Sequence, residues 1–239
     1  MVKRGERRAA AGSKLRTLVG LLKRRYEDVA LPPPRTPFEW VLWENVAYLV
    51  NDARRLECYR ALEKRAGLTA EKLASASRET LLAIAARGGM HPEKRVDKLL
   101  DCAEIAQRHG GGDLTQILAL PLPKARKILR EFPGIGAPGA EKILMACGAS
   151  TELALESNAV RCLIRIGYGR HTGNYARDYR SVQKEITREI VREPEWLLRA
   201  HVLLRAHGQT LCVREMPECE GCPVVSSCVL MAPDGAEWD

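Results

Sequence analysis

Four cysteines near the C-terminal end, Cys212, Cys219, Cys222 and Cys228, follow the spacing Cys-x6-Cys-x2-Cys-x5-Cys. Four thiolates in so short a loop match the all-cysteine ligation of a cubane iron–sulfur cluster, and soft sulfur donors select iron–sulfur or zinc over hard cations. Structural zinc sites usually draw their ligands from two close Cys-x2-Cys pairs, whereas here only Cys219 and Cys222 stand that close. A zinc knuckle or a pair of disulfides remains the alternative reading. Cys58, Cys102, Cys147 and Cys162 fall singly in helical stretches and are expected to be buried thiols. His91, His109, His171, His201 and His207 show no metal-ligand spacing.

A second constellation is the string Phe132-Pro-Gly-Ile-Gly-Ala-Pro-Gly-Ala140 between two helical stretches. Gly134 and Gly136 permit backbone conformations and a close approach that a Cβ would block, and the turn through Ile135 would present amides beside a helix N-terminus. Such a turn can hold a phosphate, although a Gly-x-Gly between helices can equally be a plain tight turn. A formal net charge of +8 points the same way, toward a polyanion bound less tightly as salt rises. A ribosome-bound or merely basic protein would carry the same charge. Nothing resembles a signal peptide, and no apolar run approaches membrane-spanning length, so no membrane partner and a cytoplasmic location are expected.

The elements that must position these groups read as helices. The first thirty residues are rich in Lys and Arg and carry one apolar stripe at helical spacing, Leu15, Leu18, Val19 and Leu22. The prolines of Leu31–Pro37 cannot continue that helix and read as a linker. Helices are then expected over Phe38–Val50, Asp52–Ala66, Ala70–Ser75, Arg78–Ala86, Pro92–Arg108, Leu114–Ala119, Pro123–Glu131, Pro138–Ala146, Asn158–Ile166, Ala176–Arg192 and Glu195–His207. Breaks are marked by Gly67, Gly88-Gly89, Gly110-Gly111-Gly112 and Pro121. β-branched alternation is nearly absent, so the fold class is all-α. A chain of 239 residues, 46% of them hydrophobic, can bury a core as one large domain or two small ones.

The cysteine spacing resembles the cluster loop of the endonuclease III family of DNA glycosylases. The glycine turn resembles the helix-hairpin-helix of the same superfamily, with Ala140, Ile143 and Leu144 as its small residue and aliphatic pair. Hairpin, acidic residue and cluster loop come in the family's order, and the resemblance covers about residues 37 to 230. It implies two helical lobes with double-stranded DNA in the cleft between them. Residues 38–148 would form a helical barrel carrying the hairpin; 149–239 would form the lobe of the 4Fe-4S cluster, with the basic N-terminal segment 1–37 packed on it. The hairpin, Gly134, Ile135 and Gly136, would hold backbone while a base is flipped into the cleft. The cluster would staple the loop and direct Arg214, with Arg205 a further candidate, toward phosphates.

The active-site positions depart from the bifunctional branch. Its lysine nucleophile falls on Pro138, leaving Lys142, one turn on, as a substitute amine or a solvated charge. Its aspartate falls on Glu156, where a carboxylate would stabilise positive charge on the sugar and orient water, or would merely cap the next helix. Asn158 and Arg161 match positions of the adenine-mismatch branch and would face DNA. Trp40–Leu49 aligns on the first barrel helix of that branch and places Glu44 on its base-protonating glutamate. Apolar neighbours would favour its protonated form, whereas the bland reading is a surface glutamate or one paired with Arg54 or Arg55. Leu49 takes the place of the residue inserted into the duplex gap. The chain ends soon after the cluster, without the further domain by which the adenine-mismatch branch recognises 8-oxoguanine.

The resemblance thus implies a monomeric, nucleoid-associated base-excision repair enzyme that hydrolyses the N-glycosidic bond of a damaged or mismatched base without lyase activity. A glycosylase/AP lyase recruiting Lys142 and a catalytically decayed lesion-binding protein stand as alternatives.

Overall fold

A computed structural model describes residues 14–110 and 112–229. The first thirteen residues of the basic segment, Gly111 of the glycine break and the tail beyond residue 229 lie outside the described residues. α1 (Lys14–Arg25) buries its whole stripe, Leu15, Leu18, Val19 and Leu22. There follow α2 (Pro37–Asn45), α3 (Asp52–Arg65), α4 (Ala70–Ala74), α5 (Arg78–Ala85), α6 (Pro92–Arg108), a 3-10 turn at Thr115–Ala119, α7 (Leu122–Leu129), α8 (Ala137–Ala146), α9 (Ser157–Arg165), α10 (Tyr175–Ile186) and α11 (Pro194–Thr210). Among the described residues no strand forms, only an isolated bridge between Tyr48 and Gly89. No described helix is long and apolar enough to cross a membrane.

The chain divides into two compact units, Pro32–Thr151 on the one hand and the segments up to Leu31 and from Glu152 on the other. In the first, α6 is central, with α2, α4 and α5 packed on it and α8 packed on α2. Phe38, Trp40, Leu42, Leu62 and Leu99 fill its core; each such side chain contributes about 1.5–3 kcal/mol by leaving water. In the second, α11 packs on α9 and α1, and α10 on α9, around Leu15, Leu22, Leu163 and Leu204.

Two helices stop short of their periodicity. α2 ends at Asn45 rather than Val50, because the Tyr48 amide donates to Gly88 O (2.9 Å) and Asn51 turns to cap α3. α10 ends at Ile186 rather than Arg192. There Glu189 is drawn away to accept from the Leu15 amide (2.9 Å) and the Tyr168 hydroxyl (3.0 Å). Conversely α11 runs on past His207 to Thr210. These are tertiary hydrogen bonds overriding local propensity.

Candidate active site

In the unit Pro32–Thr151, Thr36 caps α2 by accepting from the Glu39 amide (3.2 Å), with Pro37 in the first turn. The last turn of α2 carries Glu44, only 18% exposed, and α8 supplies its partner: Lys142 Nζ donates to Glu44 Oε1 at 2.7 Å, with Arg55 Nη1 at 3.9 Å. Arg55 also lies over the Trp43 ring. Lys142 and Arg55 thus stand beside the carboxylate, where its sequence neighbours suggest apolar surroundings. Lys142, expected as a substitute amine or a charge facing solvent or phosphate, lies against Glu44 because α2 packs on α8.

The residue after Glu44 ties the same helix to the glycine turn. Asn45, 6% exposed, donates from Nδ2 to Val41 O (3.0 Å) and to Pro133 O (2.8 Å). Gly134 sits at φ +73°, where a Cβ would lie 3.1 Å from Asn45 Oδ1. Gly136 has φ −85° and a Cβ there would meet only Pro138 Cδ at 3.8 Å. The first glycine is therefore required by the fold, whereas the second leaves an open approach to the backbone. No side chain caps the N-terminus of α8, and Pro138 in its first turn has no N–H to offer.

Leu49 stands out at φ +54° and 73% exposure. Tyr48 beside it and Met90 on the facing turn are also exposed, and the bridge from Tyr48 to Gly89 holds the two turns together. Gly89 has no substitute, since a Cβ would fall 2.2 Å from Tyr48 O. Tyr48 and Met90 share the exposure of Leu49 without having been singled out in the sequence, where the one signal is a large apolar residue directly following the Gly88-Gly89 break.

In the other unit, Glu156 does cap its helix: Oε1 accepts from the Ala159 amide (2.8 Å) and Oε2 from Asn158 Nδ2 (2.8 Å). Asn158 Oδ1 accepts from Arg161 Nη2 (2.8 Å), which also donates to Gly208 O (2.7 Å), while Arg161 Nε donates to Cys212 O (3.1 Å). An unbroken hydrogen-bond chain thus runs from Glu156 through Asn158 and Arg161 to the first cysteine of the loop. The Arg161 guanidinium faces inward to do this. Arg161 and Arg214 both line a cavity of about 450 Å³, together with Ser157, Arg165, His171 and Tyr175.

Cys212, Cys219, Cys222 and Cys228 are all half-buried, and none forms a disulfide. Burial pushes the Cys222 thiol up, helped by the other three thiols nearby. Cys212 is held below the usual thiol range by hydrogen bonds from Cys162 and from the Arg165 guanidinium (3.4 Å). Arg165 also donates to Val213 O (2.7 Å) and Arg214 O (2.9 Å), pinning the loop. Cys162 is thus a buried neighbour of the loop, which its isolation in sequence did not suggest; Cys58 and Cys102 are buried and Cys147 is half-buried. Among the described residues no three metal-ligating side chains gather as a single ion requires. Four free thiols with no disulfide suit a soft-metal group, iron–sulfur or zinc.

A solved thermostable thymine-DNA glycosylase shares the fold with a TM-score of 0.68 over 90% of this chain and 94% of that one, at 14% identity. A non-covalent endonuclease III–DNA complex does so with a TM-score of 0.63 over 90% and 93%, at 18% identity. At such identities the likeness is one of fold alone. No family model matches the chain. In sequence, however, an endonuclease III homolog of Encephalitozoon cuniculi (strain GB-M1) is 30% identical over 167 residues, 70% of this chain and 62% of that protein. The chain is thus similar to proteins of the endonuclease III superfamily. It spans about half the length of other curated endonuclease III relatives that it matches. In this chain Lys142, one turn past the hairpin, pairs with a glutamate of α2, and proline stands at the second position of the hairpin helix.

Proposed function

We propose that the protein is a DNA N-glycosylase of base-excision repair that flips a damaged or mismatched base out of a duplex and hydrolyses its N-glycosidic bond without a lysine nucleophile. The observation that carries this reading is the position of Glu44, locked 2.7 Å from Lys142 of the hairpin helix. The carboxylate that handles the base is built onto the element that grips the backbone.

In this reading the amides of Gly134–Gly136 and the uncapped start of α8 receive a phosphate. Leu49, with Tyr48 and Met90 beside it, fills the gap left by the flipped base. Glu156 faces the positive charge developing on the sugar and orients the attacking water. Each of its oxygens already accepts one bond, which fixes its direction and leaves lone pairs for water. Glu44 accepts a hydrogen bond from the base and passes it a proton taken from Lys142 across their contact, making the base a better leaving group.

We infer that Cys212, Cys219, Cys222 and Cys228 hold a 4Fe-4S cluster. When bound, it supplies cross-links that staple the loop; Arg161 and Arg165 hold the loop backbone, and Arg214 is left to meet a phosphate. The protein acts as a monomer on chromosomal DNA.

A second reading draws on the same contact. Transfer of one proton from Lys142 to Glu44 leaves a neutral amine, which is what a lyase nucleophile requires. A panel of duplexes, each with one damaged or mismatched base, separates these possibilities when scored for free base, for strand nicking and for borohydride trapping. Base release without nicking or trapping is expected. Trapping that vanishes in Lys142→Ala would establish the lyase, and no base release from any duplex would leave only a lesion-binding protein.

A further inference from the structure

Tyr26, just past the end of α1, places its hydroxyl 3.0 Å from His207 Nδ1 and 2.9 Å from Thr210 Oγ1 on α11. The other ring nitrogen of His207, Nε2, lies 3.6 Å from Cys222 Sγ. The imidazole is 1% exposed, so both of its nitrogens depend on these protein partners. The two rings meet edge to face, their centroids 6.0 Å apart.

Proton counting gives this chain a direction. A neutral imidazole has one N–H and one bare nitrogen, and the partner of one decides the other. Cys222 as a metal-bound thiolate has no proton to give, so Nε2–H must be the donor. Nδ1 is then bare and accepts from the Tyr26 hydroxyl. The Thr210 hydroxyl, which donates to Ala206 O at 2.8 Å, lies 2.9 Å from the phenol oxygen and in the relay gives its proton to that oxygen in place of Ala206 O. Every group along the chain is then matched.

We propose that Tyr26 and His207 are positioning residues for the cluster, forming a hydrogen-bond relay that aims an N–H at Cys222 Sγ and raises the cluster's reduction potential. The inference rests on the cluster assignment above. An N–H···S bond draws charge from the sulfur and so favours the more negative, reduced form; hydrogen bonds to the sulfurs are among the determinants of such potentials. The relay also makes α1, distant in sequence, part of the cluster's surroundings.

The test uses the full chain purified anaerobically, as wild type and as Tyr26→Phe, which keeps the ring packing and removes only the hydroxyl. Iron per chain, midpoint potential by voltammetry and the Fe–S stretching bands in resonance Raman are compared. Tyr26→Phe is expected to retain its iron, shift the midpoint to more negative potential and move the Fe–Sγ stretch upward. His207→Phe should shift the midpoint further; if that variant loses its iron, Tyr26→Phe alone decides. Full iron with unchanged midpoint and stretch in Tyr26→Phe overturns the relay and leaves the cluster assignment standing. A wild-type chain without iron overturns both.

Discussion

Glu44 and Lys142 stand 98 positions apart in the chain and 2.7 Å apart in the fold. Both side chains are less than a fifth exposed, so the contact is not a screened surface pair. In the proposed chemistry an acid needs Glu44 protonated, and a nucleophile needs Lys142 neutral. A single proton moving from Nζ to Oε1 would supply both states. In that proposal the contact is where hydrolase and lyase would part.

Glu44→Gln is expected to slow base release by about 10²–10⁴-fold, the usual contribution of a positioned acid–base group. DNA affinity should barely change. Lys142→Ala should lower stability by about 1–3 kcal/mol, because Glu44 loses its 2.7 Å contact while Arg55 stands farther off, at 3.9 Å. Thermal melts and single-turnover base release on both variants and their double give the coupling, expected at about 0.5–3 kcal/mol. Simple additivity would mean that the pair does not act as a unit.

Glu156→Gln keeps an oxygen for the Ala159 amide and loses the negative charge, so it should fold normally and release almost no base. Glu156→Ala additionally removes the cap and should cost about 0.5–2 kcal/mol of stability. Asn158→Ala breaks the chain from Glu156 to Arg161 while leaving the carboxylate, and a fall of about tenfold in rate, roughly 1.4 kcal/mol, is expected. A Glu156→Gln enzyme as fast as wild type would reduce the residue to a cap.

The two hairpin glycines should separate stability from binding. Gly134→Ala forces an alanine to φ +73° against Asn45 and should cost at least about 1–2 kcal/mol in thermal denaturation. Gly136→Ala meets nothing in the fold and should melt like wild type, yet bind abasic-site DNA more weakly because its methyl stands between the backbone and a phosphate. Unchanged DNA binding by Gly136→Ala would show that the backbone is gripped elsewhere.

Protein prepared without oxygen should be brown and carry about four iron atoms per chain, as four thiolates on a cubane require. Cys219→Ser should destabilise the cluster loop and the helices around it before it touches the chemistry, since a bound metal group contributes folding energy. Metal analysis that finds one zinc and no iron would remove the assignment.

The sequence by itself determined the helical class, the order of the hairpin and cluster loop, and the cysteine set. Those properties are local: a 3.6-residue apolar period, Gly and Pro at turns, and ligands within seventeen residues of one another are all written along the chain. Even α1 was legible, because all of Leu15, Leu18, Val19 and Leu22 point to one face. Only the tertiary structure decided what the charged groups do. Glu44 looked apolar in its surroundings because its sequence neighbours are, but its partners come from α8 and α3. Arg161, expected to face DNA, is held by carbonyls some fifty positions away, at Gly208 and Cys212. Tyr26 carried no signal at all until α1 packed on α11 and set it against His207. Such partners are chosen by packing, which brings together groups whose separation along the chain leaves no periodic trace.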